Sequence, residues 1–216
     1  MANSGVSVEN MLVEVADGRQ KRTIIDDLSF EALPGKITAL TGPSGSGKTT
    51  VLSCLAGVAK FQGGHVVVGG KRRKPKTLAT ASELRETGII FQDYRLVKAL
   101  NVVDNVALTL TLEGMSWKLA RSQAKHILSQ LGLGDRFKNR PSSLSGGEQQ
   151  RVALARAIIG QAEVLLADEP SAHLDKDSAE LLLSYLLGMA VTGTCVVVSS
   201  HDPRLLSHCN DVVSLG

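Results

Sequence analysis

One short segment limits the folds open to this chain more than any other feature. Residues 42–49 fit the pattern G-x-x-x-x-G-K-[S/T], with an apolar run at 37–40 before them and a helical pattern at 48–56 after them. A strand that passes through a glycine-rich turn into a helix points backbone N–H groups, and the positive end of a helix dipole, at one place. The segment therefore predicts a phosphate-binding loop, and a bare glycine-rich turn is the weaker alternative.

The residues of this segment also predict how phosphates would be held. Its glycines allow the tight turn that brings backbone N–H groups onto phosphate oxygens. We expect Lys48 to reach the β- and γ-phosphates, the Thr49 hydroxyl to hold Mg²⁺, and Thr50 to donate to the α-phosphate. The predicted nucleotide-binding residues are Gly42, Pro43, Ser44, Gly45, Ser46, Gly47, Lys48, Thr49 and Thr50.

Apolar runs of strand length alternate with helical patterns along the chain. The strand-like runs are 37–40, 88–91, 164–167, 195–198 and 212–215, and the helical patterns are 48–56, 117–131, 148–159 and 178–187. This alternation predicts an α/β fold with a mostly parallel sheet. Stretches at 6–40 and 60–75, rich in glycine and β-branched residues, predict a small antiparallel region. A nearly all-helical section at about 95–158 completes a predicted single domain of residues 1–216.

Composition excludes several other classes of protein. Hydrophobic residues make up 43% of the 216 residues and charged residues 21%, as in an ordinary soluble domain rather than a disordered chain or a disulfide scaffold. The net charge of +3 and the aromatic content of 3% do not favour a nucleic-acid surface. Three cysteines without a C-x-x-C pair, and an N-terminus without a signal-peptide pattern, favour a reducing compartment.

A stretch without charged residues, 181–200, has the length of a membrane span. Gly188 and Gly193 interrupt it, and a β-branched run follows at 195–198. We interpret the stretch as a helix that ends near residue 187, a glycine turn and a buried strand.

Two acids follow the apolar run at 164–167. We expect Asp168 at the carboxyl end of a strand beside the phosphate-loop strand, where it would hold Mg²⁺ through water. Glu169 is expected to point to the other face and to polarise an attacking water as a general base. A surface pair of acids without a function is the alternative, which the phosphate loop makes the weaker one.

The segment 144–151 reads LSGGEQQR and precedes a helical run. Ser145 and Glu148 have the spacing of a capping box at a helix N-terminus. A cap does not explain Gly146 and Gly147 between them, or the Gln-Gln-Arg that follows. The segment resembles the signature motif of the ATP-binding cassette (ABC) family, and the motifs of that family occur in order along nearly all of the chain.

The resemblance implies further roles, with ATP and Mg²⁺ as cofactors. It identifies Gln92 as the residue that senses Mg²⁺ and water, His201 as the γ-phosphate switch, and Asp175 as the acid of a loop that crosses a dimer interface. The signature of one subunit, Ser145, Gly146, Gly147 and Glu148, would close on the nucleotide of another. The implied catalytic residues are Glu169, His201, Gln92 and Lys48, and the implied metal contacts are Thr49, Gln92 and Asp168.

The chain departs from the family pattern at the position that is expected to contact the adenine base of the nucleotide. Most members place an aromatic residue before the first core strand, where it stacks on adenine. Val15 stands at or near this position, and no aromatic residue occurs between Met1 and Ser29. ATP remains the expected nucleotide rather than GTP. A second departure is His173, where Asn is common in the family.

The segment 91–106 and the Pro-Ser-Ser before the signature most resemble the compact ATPases of lipoprotein-release and macrolide-exporter systems. That resemblance implies a homodimeric ATPase subunit of a membrane exporter, bound at the cytoplasmic face to a separate permease with few membrane helices and a large extracytoplasmic domain. Heme, peptide, lipoprotein and drug remain open as cargo. The alternative is a soluble or cell-division ABC ATPase that is not engaged in transport.

Overall fold

Two β-sheets and their surrounding helices form the chain in this computed structural model, which describes residues 5–17, 20–84, 87–172 and 174–216. The strands are β1 (Val6–Asp17), β2 (Gln20–Ala32), β3 (Ile37–Thr41), β4 (Gly63–Val68), β5 (Lys71–Arg73), β6 (Thr87–Ile90), β7 (Val164–Asp168), β8 (Cys195–Ser199) and β9 (Asp211–Ser214). The α-helices are α1 (Lys48–Leu55), α2 (Ala81–Leu84), α3 (Val102–Leu112), α4 (Trp117–Gln130), α5 (Gly146–Ile158), α6 (Lys176–Val191) and α7 (Pro203–Leu206).

The larger sheet is parallel and has the strand order β6-β7-β8-β3-β9. Every residue of β7 and β8 is buried, which explains why both strands read as continuous apolar runs. The sequence placed the acid-bearing strand beside the phosphate-loop strand, and this is wrong because β8 lies between β7 and β3. The three strands still end at the same edge of the sheet, since they are parallel.

The smaller sheet is antiparallel, as predicted, and its strand order is β2-β1-β4-β5. Its buried face includes Val6, Val8 and Val13 and packs with Val51 and Leu55 of α1. The predicted range 6–40 was too long, because β3 pairs with β8 and β9 and so belongs to the parallel sheet. The antiparallel sheet thus covers one side of the helix that follows the phosphate loop.

Helices α3, α4 and α5 lie in the section 95–158, and a second apolar cluster joins them to the parallel sheet. Leu128, Leu131 and Leu154 are among its fully buried side chains. Two short 3₁₀ turns, Gly134–Arg136 and Pro141–Ser143, connect α4 to α5. That the whole chain is one domain stays a prediction.

Two element ends differ from the sequence prediction. Strand β6 ends at Ile90, so Phe91 lies in the following loop. Helix α6 continues through Gly188 to Val191, because the glycine that ends it is Gly193, whose φ of 102° only glycine adopts easily. Within the described residues, no helix is both long enough and apolar enough to cross a membrane.

A buried amide fixes the segment between β6 and α3. Asn105 is fully buried, and its Oδ1 accepts from the backbone N–H of Val97 at 2.7 Å. Its Nδ2 donates to the carbonyls of Val97, Leu100 and Asn101 at 3.0–3.2 Å. One side chain of α3 therefore satisfies several polar groups of an otherwise irregular segment.

We predict that Asn105→Ala lowers the melting temperature by about 5–10 °C, because it removes the hydrogen bonds of a fully buried side chain, each of which contributes about 0.5–1.5 kcal/mol. The matched control is Thr111→Ala on the same helix, which removes only a bond to the Ala107 carbonyl at 3.0 Å. Thermal unfolding followed by circular dichroism measures both. Equal melting temperatures for the two variants would contradict this role of Asn105.

Candidate functional site

Three glycines in the loop between β3 and α1 have backbone conformations that other residues rarely adopt. Gly42, Gly45 and Gly47 have φ values of 141°, 83° and 97°. A Cβ atom on Gly42 would collide with the Leu215 carbonyl, and one on Gly47 would lie 2.7 Å from Cδ1 of Ile25. The loop thus needs glycine for both its dihedral angles and its close packing against neighbouring strands.

The charged and polar atoms of this loop converge. The Lys48 ammonium donates to the carbonyls of Gly42 and Pro43 at 2.8 and 2.9 Å, which bends the side chain back over the loop. The Ser46 hydroxyl is buried and has no hydrogen-bond partner among the described residues. A buried polar atom without a partner is costly. A cradle of glycines, one ammonium and an unpaired hydroxyl fits a phosphate group.

Asp168, at the end of β7, is held by two hydroxyls. Its Oδ1 accepts from Ser199 at 2.6 Å and from Thr49 at 3.1 Å, and the residue is only 6% exposed. The contacts join the ends of β7, β8 and α1 at one point. The Thr49 hydroxyl and the Asp168 carboxylate are oxygen ligands of the kind that Mg²⁺ prefers, so these residues fit the predicted metal.

Glu169 follows in an unusual backbone conformation. Its φ is 44°, and its N–H donates to the Ser199 carbonyl at 3.1 Å and to the Ser199 hydroxyl at 2.9 Å. Its carboxylate lies 3.0 Å from Nδ1 of His201, whose side chain is 82% exposed. Because Ser199 fixes the backbone, the carboxylate of Glu169 and the imidazole of His201 form a pair at the surface of the site.

A cavity of about 860 Å³ connects these groups. The predicted residues that line it are Gly42, Ser44, Gly45, Gly47, Lys48, Thr49, Thr50, Gln92, Glu169 and His201. Pro43, Ser46 and Asp168 do not line the cavity but contact Lys48, Gly42 and Thr49, respectively. The structure therefore places most of the residues that the sequence motifs predicted around one cavity. The chemical role of each residue stays a prediction.

Three residues of the cavity were missed: Arg22, Ile24 and Ala172. Arg22 and Ile24 lie on β2, where the pairing with β1 shifts register between Thr23 and Ile25. Simple alternation therefore does not hold at Ile24, and Ile24 and Ile25 both lie close to Gly47. The sequence did not show that these residues of β2 lie beside the phosphate loop.

The signature segment, residues 144–151, is not among the described residues that line this cavity. The predicted capping box is confirmed: the Ser145 hydroxyl accepts from the Glu148 N–H at 3.2 Å, and the Glu148 carboxylate accepts from the Ser145 N–H at 2.8 Å. The second oxygen of that carboxylate accepts from Arg136 Nε at 2.8 Å. The Arg136 hydrogen bond, with help from the Ser145 N–H, lowers the pKa of Glu148 to about 2.

None of the signature residues Ser145, Gly146, Gly147 and Glu148 is among the described residues that line the cavity. Asp175 is not among them either. It caps α6, and its carboxylate accepts from the N–H and the hydroxyl of Ser178 at 2.8 and 3.0 Å. These hydrogen bonds lower the pKa of Asp175. His173 lies outside the described residues.

Comparison with known proteins decides the family. The family model described as ABC transporter matches residues 25–172, more than half of the chain. The chain belongs to the ABC transporter family. Its α/β fold is that of a P-loop NTPase of the ABC type.

Relatives and solved structures agree. The chain is 38% identical over 213 residues to an uncharacterized ABC transporter ATP-binding protein of Mycobacterium bovis, covering 98% of this chain but only 64% of that relative's length. It is 36% identical to the uncharacterized ABC transporter ATP-binding protein YbbA of Escherichia coli, covering 99% of this chain and 95% of YbbA. The ATP-binding cassette MJ0796, in a dimeric post-hydrolysis state with ADP and Pi, superposes with a TM-score of 0.89 at 29% identity, covering 97% of this chain and 94% of that one.

We predict that Ser199→Ala lowers the rate of ATP hydrolysis about tenfold or more, because Asp168 loses its shorter hydrogen bond and the Glu169 N–H loses a partner. A steady-state phosphate-release assay measures this effect. The matched control is Thr38→Val in β3, which removes another fully buried hydroxyl of the same sheet that has no hydrogen-bond partner among the described residues. Similar rates for the two variants would show that Ser199 does not organise the site.

Proposed function

We propose that this chain hydrolyses Mg-ATP as the ATPase subunit of a membrane export complex, in which ATP-driven closure of a homodimer powers a separate permease. The observation that carries the proposal is an apolar groove beside the loop that follows β6 and contains Gln92, which we call the Gln92 loop. The candidate cargo classes are heme, peptide, lipoprotein and drug. The permease of this proposal has few membrane helices and a large extracytoplasmic domain, and it holds the ATPase at the cytoplasmic face of the membrane.

The residues of the cavity support hydrolysis of the γ-phosphate. Thr49, Asp168 and Gln92 would hold Mg²⁺, which neutralises phosphate charge when bound. Lys48 and the glycine-rich loop orient the triphosphate. Glu169 orients the attacking water, and His201, beside Glu169, meets the γ-phosphate as its negative charge develops.

The position of the signature segment supports a dimer. Ser145 caps the N-terminus of α5, where backbone N–H groups and the helix dipole favour an anion. Because this end of α5 does not line the cavity of its own chain, it is available to the γ-phosphate bound by a second chain. The related cassette MJ0796 was itself solved as a dimer. One chain therefore has half of each proposed site.

The groove beside the Gln92 loop supports a permease partner. It has a volume of about 400 Å³, and its lining includes Leu84, Ile89, Phe91, Leu112 and Ala162. Leu112, at the end of α3, is 70% exposed. Such a surface fits the apolar face of a short helix, which we take to be a cytoplasmic helix of the permease.

The groove is also mechanically joined to the nucleotide site. Phe91 lies in the groove, while the next residue, Gln92, lies in the nucleotide cavity. Arg156 of α5 donates to the carbonyls of Tyr94 and Arg95, both at 2.7 Å, and so ties the same loop to the signature helix. Movement of α5 on dimer closure would therefore reach the groove.

We predict that Glu169→Gln abolishes turnover, with a rate at least about a hundredfold lower, while retaining ATP binding and trapping a dimer in Mg-ATP. Size-exclusion chromatography with ATP and a phosphate-release assay measure the two effects. Lys48→Ala is the matched control, since it should lose nucleotide affinity and stay monomeric. Hydrolysis by Glu169→Gln at the wild-type rate would exclude Glu169 as the base.

The transport proposal is tested by affinity purification of the Glu169→Gln variant. Membranes of its own host are solubilised in detergent in the presence of Mg-ATP, and the variant is purified with whatever is bound to it. We expect a stoichiometric permease to copurify, and we expect Leu112→Glu in the groove to remove it. The control is Leu119→Glu, because Leu119 is an exposed leucine (51%) on α4 that does not line the groove. Recovery from the soluble fraction alone, without a membrane partner, would favour the non-transport alternative.

A further inference from the structure

The nucleotide cavity has a second end that the phosphate chemistry does not use. Lys48, Glu169 and His201 define the end where the γ-phosphate would lie. Arg22 and Ile24 line the cavity from strand β2. A Cβ atom on Gly47 would lie 3.1 Å from Cγ2 of Ile24, which places this strand against the start of α1. Because the same cavity reaches from the phosphate loop to β2, a nucleotide with its triphosphate in the loop has room for its base beside this strand.

This end of the cavity offers no aromatic ring. The chain has four Phe, two Tyr and one Trp, and none of them is among the described residues that line the cavity. A base has two apolar π-faces, and leaving both in water forfeits the stacking that usually contributes to nucleotide affinity. The planar group that the cavity does contain here is the guanidinium of Arg22. Guanidinium groups stack on aromatic faces and attract their π-electrons.

The surroundings of Arg22 fit such a contact. Arg22 pairs directly with Val15 across β1 and β2, so the two side chains share one face of the sheet. Val15 is 40% exposed, and Ile24 lines the same cavity as Arg22. Among the described residues, Arg22 forms no side-chain hydrogen bond or ion pair. By contrast, Lys21 is paired with Glu14 at 3.1 Å.

We propose that Arg22 is the residue that binds the nucleotide base, by stacking its guanidinium on the ring, with Ile24 and Val15 as the apolar floor. Stacking recognises a ring face rather than a pattern of hydrogen bonds. Adenine and guanine therefore bind with similar affinity, and triphosphate contacts dominate the choice of ligand. The proposal rests on the nucleotide binding proposed above.

The test compares dissociation constants for Mg-ATP, Mg-GTP and inorganic tripolyphosphate, measured by isothermal titration calorimetry. We expect Arg22→Ala to weaken ATP and GTP about five- to tenfold and tripolyphosphate less than about twofold. Arg22→Lys keeps the charge but loses the plane, so it should behave like Arg22→Ala. Lys21→Ala is the matched control on the same strand, and it should change none of the three affinities.

The outcomes separate stacking from simple charge attraction. Equal loss of ATP and tripolyphosphate in Arg22→Ala, or full affinity in Arg22→Lys, would show that Arg22 acts on phosphate and would overturn the proposal. Unchanged ATP affinity in Arg22→Ala would overturn it as well. A double variant, Val15→Tyr with Arg22→Ala, should regain ATP affinity, because a ring then faces the base, and no regain would place the base elsewhere. A wild-type chain that binds neither ATP nor tripolyphosphate would refute the phosphate site itself.

Discussion

The Asp168 carboxylate, held by the hydroxyls of Thr49 and Ser199, is the contact on which the arrangement of the site depends. It joins the ends of three elements that are far apart in sequence, and parallel strands bring those ends to one edge of the sheet. A carboxylate that is 6% exposed needs such partners, because burying a charge without hydrogen bonds is costly. Ser199 also bonds the Glu169 N–H, so the same contact sets the position of the neighbouring acid.

Helix α5 links this edge to the rest of the chain. Its N-terminal cap carries the signature segment, and the buried Gln150 donates to the Pro170 carbonyl, directly after Glu169. One turn and a half further on, Arg156 binds the loop that follows Gln92. One rigid helix therefore contacts the signature, the acid loop and the groove. A shift at its capped end cannot remain local, because packed helices move as units.

The sequence predicted local features well and spatial order poorly. The phosphate loop and the capping box follow from residue types within a few positions, so their geometry could be predicted. The insertion of β8 between β3 and β7 could not, since strand order depends on how whole elements pack. Gly188 was a misleading signal, because a glycine inside a helix costs only about 1 kcal/mol and Gly193 provides the actual stop.

The two ends of the nucleotide cavity are built by different means. The phosphate end consists of backbone groups whose course depends on Gly42 and Gly47, where a side chain would meet the Leu215 carbonyl and the Ile25 side chain, respectively. The base end consists of side chains on β1 and β2, and a change at the exposed Arg22 disturbs no packed atom. Recognition of the triphosphate is therefore tied to the fold, whereas recognition of the base is separable from it. A chain with this fold can therefore lack an aromatic residue at the base and still keep its phosphate site, because only the phosphate site is part of the folded core.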